Sequence, residues 1–165
     1  MTHSTALHRA SLVALSLVVL LAGITLTRDA SAASWHGIES FKTRRDEVLK
    51  ILGTPVSESA DGVLRFSVSG GSVQVSFVNE KFVTAKKLRP ELAGTVLEIV
   101  LQHEHSSETA ESMNLLKNKS FVPDEDRNVA IFRNTKDGII YTFIDGRLKT
   151  TRYTFAGSQL VRARR

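Results

Sequence analysis

The sequence predicts an α+β fold with two tandem α-β-β-β units, whose strands form antiparallel sheet with short helices on one face. Three observations lead to this prediction. Residues 43–53 have the pattern of a capped amphipathic helix. Three segments of alternating apolar and polar residues follow this helix, and the same order recurs more weakly after residue 105. Strand-rich halves with few helices are typical of the α+β class.

The first helix has signals at both ends. Thr43 is a favourable N-cap, and Asp46 lies three residues later, where an acidic side chain can return a hydrogen bond to the cap. Gly53 suits the left-handed conformation that ends a helix, and Pro55 prevents it from resuming. The stripe of apolar residues between them comprises Val48, Leu49, Ile51 and Leu52.

Strands and turns account for the rest of both units. Residues 63–68 and 73–78 alternate around Gly70-Gly71, a two-residue hairpin signal, and a third strand is predicted over 95–102. In the second unit, residues 106–121 are predicted to form a short helix or turn. Strands then follow over 128–134, 139–144 and 147–155, with a type I′ turn at Asp145-Gly146.

The N-terminal segment is typical of a secretory signal peptide. An uncharged, largely apolar run from Ser11 to Thr27 follows His8 and Arg9, and Ala30-Ser31-Ala32 forms a small-residue cleavage site. We therefore predict a signal peptide over 1–32, a first unit over 33–105 and a second unit over 106–165. An uncleaved membrane anchor is the alternative, at the lower limit of spanning length. The mature chain is expected in the periplasm or outside the cell, with no transmembrane segment.

Composition excludes several chemistries. The chain contains no cysteine, which rules out thiol catalysis, thiolate zinc sites and iron–sulfur clusters. Residues 127–165 carry nine basic and two acidic groups and form a cationic lobe. Such a lobe can attract anionic partners, and it also fits a solvated surface.

The helix motif, FKTRRDEVLKILGTP, resembles that of the SmpA/OmlA (BamE-like) outer-membrane-assembly lipoproteins. More widely, the chain resembles a group of uncharacterised exported acidobacterial small proteins. The matching segments are residues 35–38, 43–48, 52–55, 94–102 and 137–155. The two-unit layout is also similar to the β-lactamase inhibitory proteins, a resemblance that implies a concave sheet for binding partners. The resemblance implies no catalytic residue.

Few residues are candidates for a site. His103 and His105 are weak candidates for a metal pair that His36 could join, but exposed histidines at a strand end are the preferred interpretation, so no metal and no cofactor are predicted. The acidic cluster Asp124, Glu125 and Asp126 is predicted to be a solvated turn. The candidate binding residues lie on the last strand of the basic lobe, where Arg147 and Lys149 are expected to share a face with Tyr153 and Arg152 to point oppositely.

The functional prediction is an exported, non-catalytic domain that binds a protein or cell-envelope component through its sheet. One alternative is an envelope-associated hydrolase or metal-binding enzyme with a site between the units. Another is a structural protein held electrostatically at an anionic membrane surface. Nucleic acid is not expected as a partner, because an exported protein seldom meets it.

Overall fold

A computed structural model describes residues 32–164 of the protein. The predicted signal peptide therefore lies outside the described residues, apart from Ala32. The described chain forms one eight-stranded sheet in the order β1-β2-β3-β4-β8-β7-β6-β5, and every neighbouring pair is antiparallel. The strands are β1 (Ser57–Glu58), β2 (Leu64–Val68), β3 (Gly71–Phe77), β4 (Val96–His103), β5 (Val122–Asp126), β6 (Val129–Asn134), β7 (Ile139–Ile144) and β8 (Arg147–Thr154). The predicted α+β class with antiparallel sheet is confirmed.

Three α-helices accompany the sheet in the described part of the chain: α1 (Arg45–Leu52), α2 (Glu80–Lys86) and α3 (Gly157–Ala163). A 3-10 turn, Pro90–Leu92, precedes β4. Helix α1 ends at Leu52, just before Gly53 as predicted, and the Gly53 amide donates to the Leu49 carbonyl at 2.9 Å. Gly53 has the expected positive φ, +80°, but its ψ of −147° is outside the left-handed helical conformation that the sequence predicts. The helix begins at Arg45, one residue later than a Thr43 cap would give.

The first core lies between α1 and the β2–β4 part of the sheet. Val48 of α1 packs with the buried residues Phe66, Val75 and Ile99 from three adjacent strands. Ile38, from the segment before α1, is completely buried in the same cluster. The strands bury alternate residues towards α1, as a sheet with one covered face requires.

The second core lies on the same face of the sheet, over β6–β8. Phe132 and Phe143 pack edge to face with ring centroids 5.7 Å apart, and Leu148 completes the strand side of the cluster. Leu115, from the segment between β4 and β5, covers them. That segment forms turns, where the sequence analysis allowed either a short helix or a turn.

A third cluster lies at one end of the sheet. Val83 of α2, Leu92 of the 3-10 turn and Ala163 of α3 are buried together, with Leu97 of β4 packed against them. The last residues of the described chain are held by two backbone contacts, because the Arg89 amide donates to the Ala163 carbonyl at 2.9 Å and Leu88 bridges Arg164. Helix α1 packs within the first core, whereas α2 and α3 contribute Val83 and Ala163 to the third cluster.

Strands β1–β4 form one half of the sheet and β5–β8 the other, joined by the pairing of β4 with β8. Each half has four strands, one more than predicted. The extra strands, β1 and β5, are short, fully exposed edges without apolar alternation, which is the signal by which strands are recognised.

Candidate functional site

One face of the sheet, opposite the α1 side, carries two cross-sheet rows of side chains that we call the open face. Strand registers place one row as Arg65, Gln74, Val100, Arg152, Ile140, Arg133 and Val122. The adjacent row is Ser67, Ser72, Gln102, Thr150, Thr142, Ile131 and Asp124. Side chains in a row stand on successive strands, about 4.8 Å apart.

The open face is accessible to solvent along both rows. None of its fourteen residues is buried, and none belongs to the three apolar clusters of the described chain. Val122 at the β5 edge is 66% exposed, and the central aliphatic residues Val100, Ile140 and Ile131 are partly exposed. Partly exposed aliphatic residues interspersed with charged and polar ones make this face a candidate contact surface.

Two of the three arginines on the open face are paired with carboxylates. The Arg133 guanidinium donates to Asp124 at 2.8 Å, and Arg152 lies 3.6 Å from the carboxylate of Glu98 on β4. Arg65 donates instead to two neutral oxygens, Ser72 Oγ at 3.2 Å and Gln102 Oε1 at 3.1 Å. The two ion pairs, Arg133–Asp124 and Arg152–Glu98, contribute little to stability, because they are exposed and solvent screens them.

The four residues predicted to bind lie on β8 but do not form one surface. Tyr153 is on the covered side, packed against the first core, and Arg152 is on the open face. Arg147 is at the far end of β8, and its guanidinium donates to the Ser107 carbonyl at 2.6 Å. The register shifts between Thr142 and Phe143, so the exposed Lys149 has no partner residue on β7. This irregularity breaks the simple alternation on which the sequence prediction depended.

Of the three histidines considered, His36 and His103 line one cleft, which His105 does not. His103 is the last residue of β4, and its Nε2 lies 2.9 Å from Thr151 Oγ1 on β8. Burial lowers the pKa of His103 below its usual 6.5, which favours the neutral imidazole. His105 is exposed beyond the strand end. Within residues 32–164 no group of three His, Cys, Asp or Glu side chains is arranged to hold a metal ion.

The acidic cluster that the sequence predicts as a turn belongs to an edge strand. Asp124 and Asp126 are paired residues of β5, and the turn follows them at Arg127-Asn128. Asp124 thereby becomes part of the open face. Sequence reasoning missed this face because its residues are dispersed over seven strands, and only the register brings them together.

Comparisons of the chain with protein-family models, with curated proteins and with solved structures found no match. In the described part of the chain, no helix has the length and apolar character needed to cross a membrane.

Proposed function

We propose that the protein is an exported, non-catalytic domain that binds a partner protein through the open face. The observation that carries the proposal is the set of partly exposed aliphatic residues Val100, Ile140 and Ile131, interspersed with arginine side chains on the open face. Aliphatic residues at the centre and arginine among them are features of protein–protein contact surfaces. The export part of the proposal is supported by the signal-peptide pattern of residues 1–32.

The pairing of two of the three arginines with carboxylates favours a protein over a polyanion as the occupant. Arg133 and Arg152 each have a carboxylate beside them, so a phosphate-rich surface would have to compete with Asp124 and Glu98. A protein can instead present an apolar centre with charges of both signs around it, and can complement both members of each pair. The partner chemistry we propose is therefore a protein surface of apolar centre and mixed-charge rim.

The tandem relation to BamE-like and β-lactamase-inhibitor-like folds is part of the same proposal. It is supported by the arrangement of two four-stranded antiparallel runs side by side, each with its own apolar cluster on the covered side. In the second half, turns take the place of the opening helix of the first. This relation would imply that the sheet is the binding surface in this protein too.

The absence of cysteine makes a site-specific test possible. A single cysteine is introduced on the open face, Thr142→Cys, or as a matched control on the outer side of α1, Lys50→Cys, where the side chain is also exposed. Each full-length variant is labelled with a thiol-reactive benzophenone and irradiated with the envelope fraction of the producing cells. We expect a discrete protein adduct from position 142 and none from position 50.

Formation of the adduct should also depend on the side chains of the open face. Ile140→Asp, in the row next to Thr142, and Arg65→Glu, at an exposed position three strands from Arg152, are each expected to reduce the adduct at least tenfold while circular dichroism remains native. Equal adducts from both positions, a lipid adduct only, or an adduct of the protein with itself only would overturn the proposal. So would an adduct that survives both substitutions.

A further inference from the structure

A cleft lies at the hairpin end of the sheet, between residues 35–36 and the β2–β3 hairpin. It has a volume of about 470 Å³. Its walls include Trp35 and His36 on one side, Leu52 from the end of α1, and Val68, Leu101 and His103 from the strand ends. This volume is within the range of small-ligand sites, about 300–1,000 Å³.

The Trp35–His36 wall is held in place by the backbone. Trp35 and Ile38 exchange two backbone hydrogen bonds, at 3.2 and 2.9 Å, around a turn in which His36 has φ +51° and Gly37 φ +79°. The completely buried Ile38 anchors this turn to the first core. The two rings contact edge to face with centroids 4.3 Å apart. The aromatic wall is therefore positioned before any ligand arrives, which lowers the cost of binding.

The main chain of the β2–β3 hairpin forms part of the opposite wall of the cleft. A Cβ atom on Gly71 would lie 1.9 Å from the Gln102 carbonyl oxygen, so only glycine fits there. The Glu104 amide donates to the Gly70 carbonyl at 3.0 Å and fixes the hairpin against the end of β4. The hairpin thus presents backbone, with its hydrogen-bonding groups, at the edge of the cleft.

The lining carries no Asp, Glu, Lys or Arg, and histidines are its only titratable groups. Burial lowers the pKa of His103, which favours its neutral form. Leu52, Val68 and Leu101 give an apolar floor, whereas imidazole and serine groups at the edge can form hydrogen bonds. A ligand that suits this lining is uncharged, with an apolar face and a polar edge.

We propose that this cleft binds one sugar unit of a neutral oligosaccharide. A pyranose ring has C–H groups on its faces, which suit the indole and the aliphatic floor, and hydroxyl groups at its edge, which suit His103 and the hairpin. The mouth is bordered by exposed residues, His36 and Ser69 among them, so the ring can belong to a longer chain. The cleft adjoins one end of the open face, because Ser72 and Gln102 line it as well as belonging to that face.

Trp35 is the only tryptophan of the chain, so intrinsic fluorescence reports on the cleft directly. The full-length protein is titrated with chitohexaose, cellohexaose and maltohexaose. We expect a saturable change in Trp35 emission with at least one of them, and the same affinity at 50 and 500 mM salt because no charge takes part.

Variants locate the binding. His103→Ala and Leu101→Gln should each weaken the affinity at least tenfold, whereas Arg133→Ala on the open face should leave it unchanged. Trp35→Phe, followed by calorimetry, provides a second measurement that does not depend on fluorescence, and it should weaken binding without abolishing the fold seen by circular dichroism. No saturable change with any of the three sugars would overturn the proposal. Saturation by indole but not by a sugar would overturn it too, as would an affinity that collapses at 500 mM salt.

Discussion

The rings of Phe41 and Phe155 stack with their centroids 4.8 Å apart and their planes within 7° of parallel. Phe41 belongs to the segment before α1, and Phe155 directly follows β8. Phe82 of α2 lies beside both rings, with centroids 6.5 Å and 6.2 Å away. The stack thus joins the two ends of the described chain, and it implies that both halves of the sheet unfold together.

The first prediction concerns this stack. Phe155→Ala should lower the free energy of unfolding by about 2–3 kcal/mol, somewhat less than a fully buried phenylalanine would, since Phe155 is only partly buried. A double-mutant cycle with Phe41→Ala should give a coupling of about 1 kcal/mol. Urea titrations of the four proteins measure both values. Two separate transitions in the parent protein would contradict a jointly folded sheet.

The second prediction concerns the end of α1. Gly53 has φ +80° with no atom within 4 Å of where a Cβ would lie, so a side chain there is strained but not obstructed. Gly53→Val should cost about 1 kcal/mol or more. Gly157→Ala is the control, because this glycine lacks a positive φ and its added Cβ would make only an ordinary contact at 3.9 Å from the Thr135 carbonyl. Equal melting temperatures for Gly53→Val and the parent would show that the helix end is misassigned.

The third prediction concerns acid stability. Burial lowers the pKa of His103 from its usual 6.5, so the unfolded chain binds this proton more readily than the folded chain does. Stability attributable to His103 is therefore full above about pH 7, falls as the pH drops through 6.5, and is lowest below the folded pKa. His103→Gln should flatten this part of the profile. Urea midpoints between pH 5 and 8 test it, and identical slopes for both proteins would contradict the assignment.

The fourth prediction uses the two tyrosines, which are the only ones in the chain. Burial raises the pKa of Tyr141 above 10.0; burial, and then the neighbouring Tyr141 charge, raise that of Tyr153. Both phenols should ionise above pH 10 in absorbance titrations at 295 nm. Since the unfolded chain loses these protons first, the stability they contribute is present below pH 10 and lost as the pH rises through their folded pKa values. In Tyr141→Phe, the remaining phenol should titrate at a lower pH; an unchanged titration would refute the coupling.

The start of α1 shows how tertiary structure shifts a local signal. The sequence predicts Thr43 as the cap, with Asp46 answering it. In the structure the Thr43 carbonyl accepts from the Val96 amide at 2.8 Å and Arg44 bridges Thr95, so this stretch is held extended beside β4. The helix begins one residue later, and Glu47 accepts from the Arg44 amide at 2.7 Å. The helix propensity of this segment predicts the position of the helix, but the pairing with β4, which is distant in sequence, determines its first residue.

Turn chemistry was informative where glycine is required. Asp145 and Gly146 both have positive φ, as their predicted type I′ turn demands. In the β2–β3 hairpin, by contrast, the Val68–Gly71 pairing puts Ser69 and Gly70 in the loop, one residue earlier than predicted. Gly71 is needed for a different reason, its close approach to Gln102.

The elements that the sequence did not reveal lack strong periodicity. Helix α2 has only Val83 buried, α3 has only Ala163 buried, and β5 buries none of its residues. Each is short and held by contacts with other parts of the chain, which no local pattern encodes. The open face and the Trp35 cleft were missed for the same reason, since both combine residues from distant segments.

The most direct test of the account is the solvent exposure of the two sheet faces. Isoleucine methyl groups of the protein are labelled for NMR, and a soluble gadolinium chelate is added to enhance the relaxation of accessible methyls. We predict strong enhancement for Ile131 and Ile140 and almost none for Ile38 and Ile99, which are completely buried. Equally weak enhancement at all four would mean that the supposed binding face is itself covered, and would contradict the account.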